Sequence, residues 1–253
     1  MILDLFRLDG QIALVTGGDK GLGRGIAVAL AQAGADVAIV SRGGQNDATL
    51  AAVEATGRRA LGLVADLGRP DAAAAVVEQA AQTFGRIDIL VNNAGIIRRA
   101  DAIATDLADF TAVLDVNLTG VWMLAQSVGR MMLAQGRGKI INIASLLAFQ
   151  GGIRVPAYAA AKHAVAGLTK ALANEWAGRG VNVNAIAPGY MATDNTQALR
   201  DDPVRSDQIR ERIPAGRWGA PEDLAGAAVF LASRASDYVH GHVLVVDGGW
   251  MAR

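Results

Sequence analysis

The strongest constraint on this chain is an alternation of two patterns. Short, uninterrupted apolar runs recur: IALVT at 12–16, VAIV at 37–40, KIINIA at 139–144. Longer stretches with apolar residues at helical spacing separate them. Strands that are apolar on both faces belong to a sheet covered on both sides. Strand–helix alternation makes such strands parallel and joins them by right-handed crossovers. Strands are predicted near 12–16, 36–41, 59–65, 88–91, 138–144, 181–187 and 242–246. Helices are predicted near 22–33, 46–56, 70–84, 107–134, 157–178 and 221–232. No internal repeat or linker divides the chain. The expected fold is α/β, one domain over 1–253, with a doubly wound parallel sheet and helices on both faces.

Charge and cysteine content narrow the function. Lysine plus arginine number 24, as do aspartate plus glutamate. A net charge of zero argues against a general nucleic-acid or membrane-surface partner. There is no cysteine, hence no disulfide, thiolate nucleophile or thiolate metal site. His163, His240 and His242 have no metal-ligand spacing, so no metal is expected. Asp4, Arg7 and Asp9 interrupt the apolar N-terminus, so no signal peptide is expected. No apolar run is expected to reach membrane-span length, and a cytoplasmic location is compatible.

The first strand ends in TGGDKGLGRG. Gly17, Gly21 and Gly23 would let the backbone tighten and approach a pyrophosphate, with Lys20 and Leu22 beside it. The helix that follows would point its free N–H groups at that anion. The G-x-x-x-G-x-G spacing differs from the usual dinucleotide fingerprint, and a glycine-rich turn needs no ligand by itself. The second strand ends at Ser41 and Arg42, where a carboxylate would select an unphosphorylated ribose. Two cations, Lys20 and Arg42, and no carboxylate favour a 2′-phosphate, hence NADP(H). Two solvated surface cations would explain them equally. Asp66 could accept a bond from adenine or cap the helix after it, and Leu67 follows it. Asn93, Ala94 and Gly95 end the fourth strand. Arg98 and Arg99 follow, either a solvated pair or cations for an anionic substrate. Asn117 falls in an apolar helical stretch, where an unsatisfied amide is costly. A buried hydrogen-bond role is therefore expected, structural or catalytic.

Ser145 ends the fifth strand; Tyr158 lies thirteen residues on, and Lys162 four after that. On a helix, Tyr158 and Lys162 share a face. A phenol works as acid or base at neutral pH only if its pKa falls by about three units, roughly 4 kcal/mol. One ammonium about 4 Å away supplies about 4 kcal/mol at an effective dielectric of 20 but only about 1 in water. Lys162 can therefore activate Tyr158 only in a cleft that excludes most water. After the sixth strand, Pro188 and Gly189 turn the chain, and Thr193 could bond a nicotinamide carboxamide. The polar segment near 193–218 reads as a substrate lid. Trp250, near the terminus, reads as an exposed subunit contact.

In this order and spacing, TGGDKGLG, NNAG at 92–95, Asn117, Ser145, YAAAK at 158–162 and PGYMAT at 188–193 resemble the classical short-chain dehydrogenase/reductase family. The resemblance covers essentially the whole chain. It implies a Rossmann-type sheet of seven parallel strands and a metal-free carbonyl–alcohol redox reaction with a nicotinamide cofactor. It implies Tyr158 as general acid–base, Lys162 lowering its pKa and bonding the ribose, and Ser145 bonding the substrate oxygen. It implies Asn117 holding a water in a proton relay. SLLAFQGGIRVPAYAAAKHA, NNAGIIRR, RIPAGRWG and DGGWMAR are similar to a subgroup acting on keto sugar acids of uronate breakdown. That likeness implies a homotetramer in a bacterial cytoplasm and, against Lys20 and Arg42, NAD(H). A sugar-acid carboxylate calls for a bidentate cation. Arg154 is the leading candidate, with Arg98, Arg99, Gln150 and Tyr190 alongside. The alternatives within the fold are a 3-oxoacyl carrier-protein reductase and a broad polyol or ketone reductase. Outside catalysis, a nicotinamide-binding sensor is the alternative; it would need no activated phenol.

Overall fold

The structure, a computed structural model, describes Met1–Arg253. Seven parallel strands form one sheet: β1 (Ile12–Thr16), β2 (Asp36–Ser41), β3 (Ala60–Val64), β4 (Ile89–Asn92), β5 (Gly138–Ile143), β6 (Val181–Pro188) and β7 (Val243–Val246). Their order across the sheet is β3-β2-β1-β4-β5-β6-β7. The observed strands agree with the apolar runs to within one residue at nearly every end. All five residues of β1 and all eight of β6 are buried, which is why those runs show no polar alternation.

The helices are α1 (Gly21–Gln32), α2 (Asp47–Glu54), α3 (Ala72–Phe84), α4 (Leu107–Leu114), α5 (Gly120–Gln135), α6 (Pro156–Trp176), α7 (Gln197–Arg200), α8 (Pro203–Arg212) and α9 (Ala225–Ala232). Each sheet face has its own core. Ile26 and Leu30 of α1 and Ala228 and Leu231 of α9 cover one face. Val76 and Val77 of α3, Leu124 and Val128 of α5, and Leu172 and Trp176 of α6 cover the other.

The structure departs from the sequence reading in three places. The expected helix at 107–134 is interrupted by a π-turn at Asp115–Thr119. The run Leu107–Gln135, with mean hydropathy 1.3, has the length and composition of a membrane-spanning helix, contrary to expectation. Here Val121, Leu124, Val128 and Met132 enter the core instead. The segment near 193–218 is not irregular: it holds α7 and α8. Asp202 accepts a bond from Arg205 N (3.0 Å) and Pro203 fills the first helical position, both recognised helix starts. Finally, Trp250 is 5% exposed, not a surface contact. It packs with Leu146, Ile209 and Ile213 in a small cluster of its own.

Candidate active site

A cavity of about 780 Å³ opens along the carboxyl ends of the strands. It spans the position where β1 has β2 on one side and β4 on the other. In doubly wound sheets the crossovers diverge there and leave a crevice.

The glycine turn builds one end. Gly17 and Gly21 have φ of +60° and +52°, a region closed to most side chains. A Cβ on Gly23 would lie 1.9 Å from Gly17 O and 2.4 Å from Asn93 Nδ2. Gly23 is therefore not a wall of the cavity; it lets α1 close onto the turn. Asn93 Nδ2 donates to Thr16 O (2.9 Å) and Gly17 O (3.0 Å), locking the end of β4 to the turn. Lys20, at the N-cap of α1, makes no side-chain cap, and the first turn has no acidic residue. The α1 N-terminus thus offers unblocked N–H groups to an anion in the cavity. This cradle, in which added Cβ atoms would collide, fits a dinucleotide pyrophosphate.

Ser41 is buried and accepts a bond from Gly44 N (3.1 Å), shaping the loop that displays exposed Arg42. Arg42 makes no ion pair, whereas Lys20 Nζ lies 2.7 Å from Asp194 Oδ2. Asp66 accepts from Gly68 N (3.1 Å) and does not cap the following helix, which begins after Asp71. Lys20, Gly21, Leu22, Ser41, Arg42, Asp66, Leu67, Asn93, Ala94, Gly95, Pro188, Gly189 and Thr193 all line the cavity.

Ser145, Tyr158 and Lys162 converge on its middle. Pro156 starts α6, which carries Tyr158 and Lys162 on one face. The Lys162 ammonium is buried, donates to Ile143 O (2.6 Å) and lies 5.4 Å from the Tyr158 ring centre. Burial lowers the Lys162 pKa to about 8, which still leaves it mostly charged at pH 7. Burial also pushes the Tyr158 phenol up; the Ser145 hydroxyl beside it and the Arg99 charge pull it back. The influences that draw it down are Ser145 first and then Arg99. The Tyr158 ring stays partly open because it faces the cavity.

Asn117 is fully buried at the π-turn and does not reach the cavity. Its Oδ1 accepts from Ile96 N (2.8 Å) and its Nδ2 donates to Ile96 O (2.9 Å). Its amide is therefore a clamp on the loop after β4.

The expected substrate residues divide. Arg99, Gln150 and Tyr190 line the cavity; Arg98 and Arg154 do not. Arg154 has φ +62°, and its Nε lies 3.1 Å from Asp101 Oδ1. Its place in sequence between Ser145 and Tyr158 did not fix its direction; a left-handed backbone turns it outward. Arg98 pairs with Asp109 at 3.6 Å. The sequence reading missed Arg205, Gln208 and Arg212 of α8, which do line the cavity. The Asp202–Pro203 helix start, with Arg205 and Ile209 at i, i+4 spacing, was the available signal.

A family model described as enoyl-(acyl carrier protein) reductase matches residues 17–251. The 2-dehydro-3-deoxy-D-gluconate 5-dehydrogenase of Dickeya dadantii (strain 3937) is 57% identical, over 100% of both chains. A structure from Agrobacterium tumefaciens with bound NADP is 56% identical, with a TM-score of 0.93; the match covers 99% of this chain and 100% of that one. A gluconate 5-dehydrogenase from Burkholderia cenocepacia J2315, in complex with NADP and tartrate, is 44% identical over 100% of both chains, with a TM-score of 0.96.

Proposed function

This chain belongs to the short-chain dehydrogenase/reductase family, and on that premise we propose that it interconverts a keto and a hydroxy sugar acid. The substrate is of the 2-dehydro-3-deoxy-D-gluconate or 2-deoxy-D-gluconate type, in uronate catabolism. The convergence of Ser145, Tyr158 and Lys162 on the same cavity as the glycine cradle carries this reading. A nicotinamide nucleotide, held by the glycine turn, the α1 N-terminus and Thr193, would supply the hydride for carbonyl reduction and accept it in oxidation.

The residues do the rest. Tyr158 delivers a proton to the carbonyl oxygen in reduction and removes it in oxidation. Ser145 donates a hydrogen bond to the same oxygen as its negative charge develops. Lys162, fixed on Ile143 O, holds positive charge beside the phenol and would bond the nicotinamide ribose. Arg99 adds a second charge from the opposite loop. Asn117 keeps that loop in register through Ile96. By resemblance to the family, Asn117 also holds the relay water that links Lys162 to solvent; beyond its two bonds to Ile96 the amide keeps one lone pair and one N–H. The segment near 193–218 acts as the substrate lid.

NADP(H) is the preferred cofactor because Arg42 stands unpaired where a 2′-phosphate would lie, and two relatives bind NADP. NAD(H) is the alternative that the sugar-acid subgroup suggests. A homotetramer in the bacterial cytoplasm completes the reading by resemblance to the family.

The test is reduction of the 5-keto partner of 2-dehydro-3-deoxy-D-gluconate with NADPH and NADH in parallel. Turnover is expected with both, and faster with NADPH. Tyr158→Phe should lower kcat by about 10²- to 10⁴-fold with nucleotide binding retained. Full activity in that variant would overturn the mechanism.

A further inference from the structure

α8 turns Arg205, Gln208 and Arg212 toward the cavity. Arg205 and Arg212 flank Ile209 at i−4 and i+3, so the three share one helix face. Ile209 packs in a buried cluster with Leu146, the neighbour of Ser145, and with Trp250. The guanidinium face of α8 is thereby fixed against the loop that carries Ser145.

Arg212 is held further. Its Cζ lies 4.0 Å over the Trp250 ring, and Trp250 Nε1 donates to Gln150 Oε1 (3.2 Å). From the C-terminus, Arg253 Nε donates to Arg212 O (3.1 Å), and another of its nitrogens bonds Glu211 O. Arg205 Nη1 donates to Gln208 Oε1 (3.2 Å).

Neither guanidinium has a carboxylate partner. The chain's ion pairs include neither Arg205 nor Arg212. The third arginine of α8, Arg210, lies outside the cavity and is paired with Asp207 (2.8 Å). Of the aspartates lining the cavity, Asp19 belongs to the glycine turn, Asp66 is bonded to Gly68 N, and Asp194 is held by Lys20. α8 therefore gives the cavity two unneutralised forks, beside Arg99 of the loop after β4, which also lacks a carboxylate partner and donates to Asn195 O (3.1 Å). Such forks match the geometry of a carboxylate.

We propose that Arg205 and Arg212 bind the carboxylate of the substrate, making α8 the element that selects acids over neutral polyols. This rests on the sugar-acid reading above. It assigns to the lid the role expected of Arg154. Arg99 acts instead on the Tyr158 phenol through its charge.

The experiment is steady-state kinetics of Arg205→Gln, Arg212→Gln and Arg212→Lys in the full-length enzyme, with tartrate as a competitive probe. KM for the sugar acid and Ki for tartrate should rise together, roughly 10- to 100-fold for each Gln variant, far more than kcat falls. Arg212→Lys should recover part of the loss, because it keeps the charge without the fork. The NADPH Kd, measured by fluorescence, should move little. Unchanged KM in both Gln variants overturns the proposal. So does a loss of kcat and NADPH affinity in step with KM, which would mean that the lid had merely collapsed. Wild-type enzyme that turns over neutral ketones but no sugar acid overturns the sugar-acid reading itself, and this proposal with it. Wild-type activity on the acid with variants of normal KM overturns this proposal alone.

Discussion

The two ends of the cavity are built on different principles. The nucleotide end consists of backbone: a glycine turn, the N-terminus of α1 and the carboxyl ends of β1, β2 and β4, tied together by Asn93. The lid end consists of side chains brought from distant parts of the chain: Leu146, Ile209, Arg212, Tyr190 and Trp250. The first end rests directly on the large core of the sheet. The second rests on four buried side chains outside it. On the proposed function, the common cofactor would meet the rigid part and the variable substrate the part held by the smaller core.

If the nucleotide end depends on close backbone contact, one methyl group should damage it severely. In Gly23→Ala the added Cβ meets Gly17 O at 1.9 Å. The obstacle is backbone and cannot rotate away, so α1 or the turn must shift. A loss of upward of about 3 kcal/mol in stability is expected, together with nucleotide affinity. Urea denaturation and nucleotide titration would measure both. An alanine variant with normal stability and NADPH affinity would show that this end is as adaptable as the lid.

A smaller effect probes the middle of the cavity, where the two ends meet. Lys162 has a pKa of about 8 in the folded protein, against 10.5 ordinarily, because burial penalises its charge. Between pH 8 and 10.5 the unfolded chain holds this proton and the folded one does not. Folding therefore becomes more favourable as pH rises through that window. Below pH 8 both states hold the proton, and the folded state carries the full cost of burying the charge. Lys162→Met removes this dependence. Without nucleotide, its stability relative to wild type should fall by about 2 kcal/mol from pH 7 to pH 10. Calorimetric Tm values at the two pH values provide the measurement. A pH-independent difference would mean that Lys162 is not buried as a cation.

The same division explains what the sequence made legible. The strands, the glycine turn and the Ser145–Tyr158–Lys162 set are local patterns at fixed spacing, and the structure gathers those residues on one cavity. The lid residues have no such pattern. In PVRSDQIRER, Ile209 is buried by Leu146 and Trp250, residues remote in sequence, so a polar ten-residue helix showed no apolar stripe. Trp250 read as exposed because its aromatic partners, Tyr190 at 4.6 Å among them, come from other strand ends. Arg154 read as a ligand because sequence proximity says nothing of the φ that turns it toward Asp101. For Tyr158, i, i+4 spacing put Lys162 on the right face but could not show that burial raises the phenol's pKa, or that Ser145 and then Arg99, from the loop after β4, draw it back.

The smallest expected effect lies where the two ends touch. Lys20 belongs to the glycine turn and Asp194 to the start of the lid, and their 2.7 Å pair bridges them. Each raises or lowers the other's pKa in the usual sense, Lys20 up and Asp194 down. Both are well exposed, so the pair is worth at most about 1 kcal/mol. To meet a 2′-phosphate, Lys20 must leave Asp194; Arg42 leaves nothing. Arg42→Ala should therefore lower the ratio of kcat/KM for NADPH to that for NADH by roughly tenfold, as expected for a charged hydrogen bond. Lys20→Ala should lower it by no more than about threefold, since its partner offsets part of its charge. Asp194→Asn should then widen the ratio slightly at low salt and lose that gain at high salt, because the released ammonium acts through a screened charge. Equal losses for Lys20→Ala and Arg42→Ala would mean that the bridge opens without cost when nucleotide binds. The turn and the lid would then not be coupled through this pair.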